Sequence, residues 1–361
     1  MRRPGKWRAC LAAIAAACIL WNVCPPPASW VERWYSLELQ PAIASVLVPV
    51  GDLLPFPLGA SLCSAAAALM LGWMVVDGIR ALRGGIPLRR RALRWGGVVL
   101  EATVIVYAWF LLVWGAGYRR ERLEDRLALG DGRPGEADIA AWVSGLGAII
   151  RRDIPPPMAR DEGRAVAAIR ESLVDVLREW EGRGRPIPHR LKRLPPGTLL
   201  ASGTVGMLIP FFLEAHVDAA DLEVGRIQSA GHELAHAAGI CGEADADLAG
   251  AVAGLRARDP YARYAAALSM FRDFAQYLPG DAMGKAYAEL PEEAARDLEM
   301  VARNRKSHRA ETLARVGRKA YDSYLRSHGV QGGVKEYGRL VELIVRAEHK
   351  GIVSIPRGEQ P

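Results

Sequence analysis

At 361 residues the chain has room for two or three domains, and 50% hydrophobic against 24% charged residues lies within the globular range without naming a class. The formal charge of +7 permits a nucleic-acid or a membrane partner, but the basic residues cluster beside apolar segments, and no stacking aromatics interleave the run from Arg190 to Arg193, so a nucleic-acid site is not expected. Of the five cysteines, Cys10, Cys18, Cys24 and Cys63 lie in or beside the apolar N-terminal third and only Cys241 lies beyond it, which excludes a disulfide framework for the rest of the chain; no CxxC spacing occurs.

Three apolar runs come first, roughly Ala9 to Cys24, Leu58 to Val76 and Trp95 to Trp114, and they predict three transmembrane helices (about 9–24, 58–76 and 95–114). The first also has the shape of a signal peptide, with "MRRPGKWR" as a basic leader, but no clean small-x-small cleavage site precedes "CPPPASW", which favours a retained helix. The tail holds Arg2, Arg3, Lys6 and Arg8. The loop between the second and third runs holds Arg80, Arg83, Arg89, Arg90, Arg91 and Arg94, whereas Pro25 to Pro57 holds only Arg33 against Glu32, Glu38 and Asp52. By the positive-inside rule the arginine-rich side is cytoplasmic, so everything after Tyr118 is expected outside the cytoplasm; "GYRRER" just past the third run pulls the other way.

From about Glu121 the pattern is mostly helical. "EADIAAWVSGLGAIIRR" and "ARDEGRAVAAIRESLVDVLREWEG" carry apolar residues at three- and four-residue intervals, and a basic, proline-containing connector, "RGRPIPHRLKRLPPG", follows. "TLLASGTVGMLIPFFLEAHVD" is apolar, β-branched and broken by glycines and Pro210. It predicts two short strands, with the proline confining "LIPFFLEAHVD" to a sheet edge; Glu214 and His216 there are either cleft-lining residues or a partly buried pair.

Next comes "GHELAHAAGICGEADADLAG", Gly231 to Gly250. Asp218 or Asp221 can cap a helix through "LEVGRIQSAGHELAHAA" that stops at Gly239. At 100° per residue His232 and His236 share a face opposite a stripe of Ile227, Ala230, Leu234 and Ala237, with Gly225, Ser229 and Gly239 leaving a trough beside the imidazoles. Two imidazoles one turn apart can direct their nitrogens at a single Zn2+ ion, and the glutamate between them, Glu233, has the geometry of a general base. After the turn at Gly239 and Gly242, Glu243 and Asp247 share a face while Asp245 points away. Glu243 is the natural third ligand, Asp247 the natural acceptor that orients a ligating imidazole, and Asp247 and Asp245 remain the alternative ligands. The bland alternative is a solvated helix face that matches HExxH by chance. Tyr261, Arg263, Tyr264, His308, Tyr324 and His328 are weaker candidates for an electrophile, each more readily structural, and Cys241 reads as a small packed residue.

"HELAH" followed by "EADAD" resembles the gluzincin class of zinc peptidases, although that class usually sets the two motifs much further apart. A narrower resemblance accounts for the spacing. "VERWYSLELQPAIASVLVPVGDLLPFPLG", "LLVWGAGYRRERL", "GMLIPFFLEAHVD", "HELAHAAGICGEADAD", "DPYARYAAALS" and "YDSYLRSHGVQGGVKEYGRLVELI" are similar, in order, to the bacterial membrane-protein family called domain of unknown function 3810, predicted HExxH zinc metallopeptidases. Asp245 and Asp247 stand where that pattern has Glu and Asn.

The expectation is therefore three N-terminal transmembrane helices followed by a mostly helical α+β zincin-like domain with a small edge β-sheet or hairpin. Its divisions are a membrane domain (1–117), a helical linker or subdomain (118–195), an HExxH metallopeptidase-like domain (196–350) and a C-terminal tail (351–361). The resemblance implies a bacterial membrane protein, expected in the inner (cytoplasmic) membrane, and the arginine distribution puts its C-terminal domain outside the cytoplasm. It would be a hydrolase of peptide bonds acting on a peptide or protein substrate, with one zinc ion on His232, His236 and Glu243. Glu233 would take a proton from the zinc-activated water and deliver it to the leaving amine, while the strand edge pairs the substrate. The rival is a non-catalytic membrane protein that uses a zinc-bound zincin-like fold as a binding or scaffold module. The accessibility of Glu233 discriminates between them.

Overall fold

Helices α1 (Pro4–Val23), α3 (Leu58–Leu82) and α4 (Leu88–Val113) leave most of their surface exposed in the computed structural model, which describes residues 4–82, 88–328 and 338–354. Their apolar windows, Gly5–Val23, Leu58–Arg80 and Arg89–Val113, are only 11%, 6% and 11% buried. At 1.5 Å per residue the two longer windows pass the roughly 30 Å of a hydrocarbon core. Helices this apolar and mostly uncovered by protein suit lipid, and the three are long and apolar enough to cross a membrane. Of the expected arginine loop, Arg83 lies outside the described residues, as do 355–361 of the tail.

The stretch between the first two of these apolar helices is folded. A turn at Ala28–Trp30, a π-helical stretch at Val31–Leu39 and helix α2 (Gln40–Asp52) bury Val31, Tyr35, Ala44 and Val48, pairs spaced i, i+4. Ala44 and Val48 pack with Phe110, Val113 and Trp114 at the end of α4 and with Leu213 and Cys241 beyond it.

The remainder is built on one apolar core. Trp142, Leu146 and Ile150 of α5 (Glu136–Asp153) and Ile169, Leu173 and Leu177 of α6 (Glu162–Glu181) join residues of α7 (Glu223–Ala237), α8 (Glu243–Arg256) and α9 (Pro260–Ala275). Residues 118–195 and 196–350 thus share a core. The outer helices are α10 (Gly280–Ala288), α11 (Glu292–His308), α12 (Glu311–Ser327) and α13 (Leu340–His349).

A three-stranded sheet has the order β1-β3-β2, with β1 (Lys192–Leu194) parallel and β2 (Gly206–Ile209) antiparallel to β3 (Glu214–Asp218). This corrects the assignment of "LIPFFLEAHVD" to an edge. Pro210, which has no N–H to give a ladder, starts a 3₁₀ turn (Pro210–Phe212) that divides the run. Its second half becomes the central strand, buried at all five residues, and the edge is β2. Glu214 and His216 consequently lie on neither an edge nor a cleft wall. Glu214 is ion-paired with Lys192 and accepts the backbone N–H groups of Leu58 (3.0 Å) and Gly59 (2.7 Å) at the start of α3. His216 is fully buried, which depresses its imidazole pKa.

Candidate metal centre

Helix α7 carries the HExxH segment and α8 the acids, and two glycines bring them together. A Cβ on Gly231 would come 2.7 Å from the Gly250 carbonyl oxygen, and one on Gly250 would come 2.6 Å from the Gly231 carbonyl carbon, so the helices cross backbone to backbone. Gly239, at φ +92°, ends α7 in the left-handed region, and the chain turns back to start α8 at Glu243. Neither Asp218 nor Asp221 caps α7. The Asp218 carboxylate accepts N–H groups of Gly197, Leu199, Leu200 and Ala220, Asp221 accepts from Leu222 and ion-pairs with Arg305, and the N-cap is Leu222.

His232, His236 and Glu243 converge. Each imidazole Nε2 lies 3.3 Å from Glu243 Oε2, the rings stand edge to face with centroids 4.5 Å apart, and one potential ligand atom from each residue lies within 4.8 Å of the others. The other ring nitrogens are engaged: His232 Nδ1 lies 2.7 Å from Asp247 Oδ1 and His236 Nδ1 lies 2.7 Å from the Ile240 carbonyl oxygen. Because a carbonyl only accepts, His236 Nδ1 carries hydrogen, and the carboxylate favours the same tautomer at His232. Both Nε2 atoms then face the same carboxylate oxygen, and a metal ion held between them would take the place of the shared proton. That donor set fits one zinc ion. Electrostatics agree with a site shaped for a cation. Burial opposes charge on all three groups, yet Asp247 and Glu243 hold His232 well above 6.5, and the two imidazoles hold Glu243 well below 4.5.

Glu233 lies beside this cluster, 4% exposed, with Oε2 buried and without a hydrogen-bond partner among the described residues. Burial, helped by the Glu243 and Asp247 carboxylates and opposed by the imidazoles, pushes its pKa up to about 7. A carboxyl group balanced there can accept and return a proton near neutrality. Asp245 turns away, accepting the Leu123 N–H at 3.1 Å, and burial raises its pKa.

The trough expected beside the imidazoles is filled at its upstream end, because a Cβ on Gly225 would meet Asp221 at 2.8 Å and Arg305 of α11 at 3.0 Å. Exposure at the cluster is greatest at His232 and Asp247, whose side chains are 17% and 20% accessible. The weaker candidates have other partners. Tyr264 donates to Asp297 (2.7 Å), Arg263 grips Asp153 (2.7 and 3.0 Å), Tyr261 lies under Arg160 (5.7 Å), and His308 Nδ1 lies 2.9 Å from the Asn304 carbonyl. Tyr324 stacks on Tyr321 and, with His328, packs against Phe110 of α4. Cys241 is packed, its thiol against the Trp114 carbonyl, and burial pushes its pKa up to about 12.

Sequence reasoning missed three contributors. Tyr321 of α12 donates its hydroxyl to Glu243 Oε1, leaving Oε2 for the histidines. Trp114, directly after α4, donates Nε1–H to the His236 carbonyl at 3.2 Å. Gly206, at the start of β2, lies against Glu233, and a Cβ there would come 2.6 Å from Glu233 Cγ. Only the glycine carried a signal, as a strand glycine marks a close approach.

No curated protein and no solved structure matches the chain. A sequence model of the family described as "protein of unknown function (DUF3810)" matches residues 35–345, a range that includes the second and third of the long apolar helices and every residue of the candidate centre, and the chain belongs to that family.

Proposed function

We infer that the protein is a membrane-anchored, zinc-dependent metallopeptidase of zincin-like type. The observation that carries this reading is the convergence of His232, His236 and Glu243 on one point beside a buried Glu233 whose second carboxylate oxygen has no partner among the described residues. His232, His236 and Glu243 would hold one zinc ion, which would supply Lewis acidity towards a peptide carbonyl and lower the pKa of water towards about 7. Glu233 takes the proton of the attacking water and delivers it to the leaving amine. Asp247 and the Ile240 carbonyl fix the imidazoles, and Tyr321 fixes Glu243. An extended peptide or protein substrate pairs with the outer edge of β2, whose first residue, Gly206, lies against Glu233. In a bacterial inner membrane the arginine-rich ends of α3 and α4 face the cytoplasm, and the metal centre, at their other ends, faces outside.

A non-catalytic module that uses zinc to hold a binding or scaffold surface is favoured by one observation, the 4% exposure of Glu233 under Gly206. Glu233→Gln separates the two readings. It keeps the size of the side chain and removes the base, so zinc content and fold should persist while hydrolysis of a broad peptide library falls at least about a hundredfold. Equal hydrolysis well above background by both proteins, with zinc bound in each, removes Glu233 from the chemistry, whereas zinc-loaded wild type with no hydrolysis above background favours the non-catalytic module.

A further inference from the structure

The metal centre is fastened to the ends of two membrane spans. Trp114, one residue past the apolar window Arg89–Val113, holds the His236 carbonyl. Trp109, inside that window, donates Nε1–H to the Phe211 carbonyl in the turn that follows β2. On the other side of that turn, Gly59, the second residue of the Leu58–Arg80 window, donates its N–H to Glu214, and a Cβ there would come 3.0 Å from Ile209 Cγ2. The strand β2 therefore starts against Glu233 at Gly206 and ends at Ile209, where α3 begins. Three residues of strand at about 3.3 Å each separate Gly206 from Ile209 by no more than roughly 10 Å, so the proposed base lies within about that distance of the start of α3.

The edge of β2 leads from the spans to Glu233. Met207, 41% exposed, projects from that strand, and Trp109 and Phe56, 38% and 48% exposed, stand at its lower end, the kind of aromatic residue that occupies a membrane interface. A soluble peptide would have to come down to this level. A polypeptide leaving the bilayer beside α3 and α4 is already there, and an extended segment of three or four residues spans the distance.

We propose that the β2 edge receives the juxtamembrane segment of a single-span polypeptide and presents a bond within about six residues of the bilayer to Glu233. This deepens, and for cleavage rests on, the peptidase reading. The probe is a reporter with an apolar helix of about 20 residues followed by about 30 randomised residues, co-reconstituted with the zinc-loaded full chain in phosphatidylethanolamine–phosphatidylglycerol vesicles. The same randomised segment is supplied as free peptides. A second measurement needs no turnover: benzoylphenylalanine replaces Met207, or the remote and 97% exposed Met158 as control, in protein that also carries Glu233→Gln, and crosslinks to the reporter are mapped.

The expected result is cleavage confined to about the first six residues beyond the span, at least about tenfold faster than in free peptides, with position 207 alone crosslinking to that same segment. Cut sites spread along the whole segment, or equal rates on free peptides, overturn the proposal and leave the peptidase reading standing. Crosslinking at 207 without cleavage supports the docking surface and overturns the peptidase reading. Neither cleavage nor crosslinking overturns both.

Discussion

Gly206 lies so close to Glu233 that a methyl group on it would come 2.6 Å from Glu233 Cγ and 2.7 Å from Cδ. No real Cβ sits that near, so Gly206→Ala must push the carboxylate or the strand aside. Because a misplacement of about 1 Å can cost on the order of a hundredfold in rate, hydrolysis should fall by roughly that factor while zinc content is unchanged. Metal analysis and peptide turnover on the same sample check this; wild-type turnover in Gly206→Ala would show that β2 does not form a wall for the base.

The ligand assignment predicts a graded metal series. His232→Ala or His236→Ala should abolish stoichiometric zinc, and Glu243→Ala should weaken it strongly. Asp247→Ala and Tyr321→Phe remove partners that orient ligands, at 2.7 Å from His232 in the first case and on Glu243 Oε1 in the second, and should weaken binding about 10- to 100-fold. Competition against a chromogenic chelator orders the variants. Full affinity in Glu243→Ala together with loss in Asp247→Ala would exchange the roles of the two acids.

The helical phase of the HExxH window was legible because its reasons are local: His232 and His236 are one turn apart, Gly239 is at positive φ, and Glu243 and Asp247 are one turn apart on α8. The three apolar helices were legible for the same reason. What eluded sequence reasoning depends on tertiary contacts. Nothing near Tyr321 says that α12 reaches Glu243, and nothing near Trp114, the last residue of the third apolar run, says that it donates to a backbone carbonyl of α7. The edge assignment failed because Pro210 was placed within a strand, when it begins the turn that makes β3 central.

Glu181 predicts acid sensitivity away from the candidate metal centre. Burial works against its charge, but Arg185, Arg120 and Arg126 overcome burial and hold its pKa at about 2, below the ordinary 4.5. A depressed folded-state pKa means that the stabilisation is present above the unfolded value and is lost as pH falls from about 4.5 towards about 2. The shift corresponds to roughly 3 kcal/mol for a side chain with no exposed surface. Thermal unfolding of the full chain in detergent should therefore fall steeply across that window. Glu181→Gln should start lower at neutral pH, because it strands buried guanidinium groups, and should depend less on pH. Parallel curves for the two proteins would place the acid transition elsewhere.

Orientation gives the last prediction. Arg91 pairs with Asp77 at 3.0 Å and Arg94 lies over Trp73 at 5.3 Å, so the arginine-rich ends of α3 and α4 lie together. At the opposite ends of those helices, Gly59 and Trp114 contact Glu214 and His236. Arg120 of the contrary "GYRRER" segment is buried against Glu32 (2.8 Å) and Glu181 (3.0 Å), and Arg122 pairs with Glu124 (3.1 Å), which gives these arginines a role inside the fold. A reporter fused after Pro361 that works only outside the cytoplasm should be active. Replacing Arg89, Arg90, Arg91 and Arg94 with neutral residues should reduce that activity, because the charge bias that retains the α3–α4 connection in the cytoplasm is weakened. Strong activity at the same position from a reporter that works only in the cytoplasm would overturn the three-span orientation and place the metal centre on the inner face.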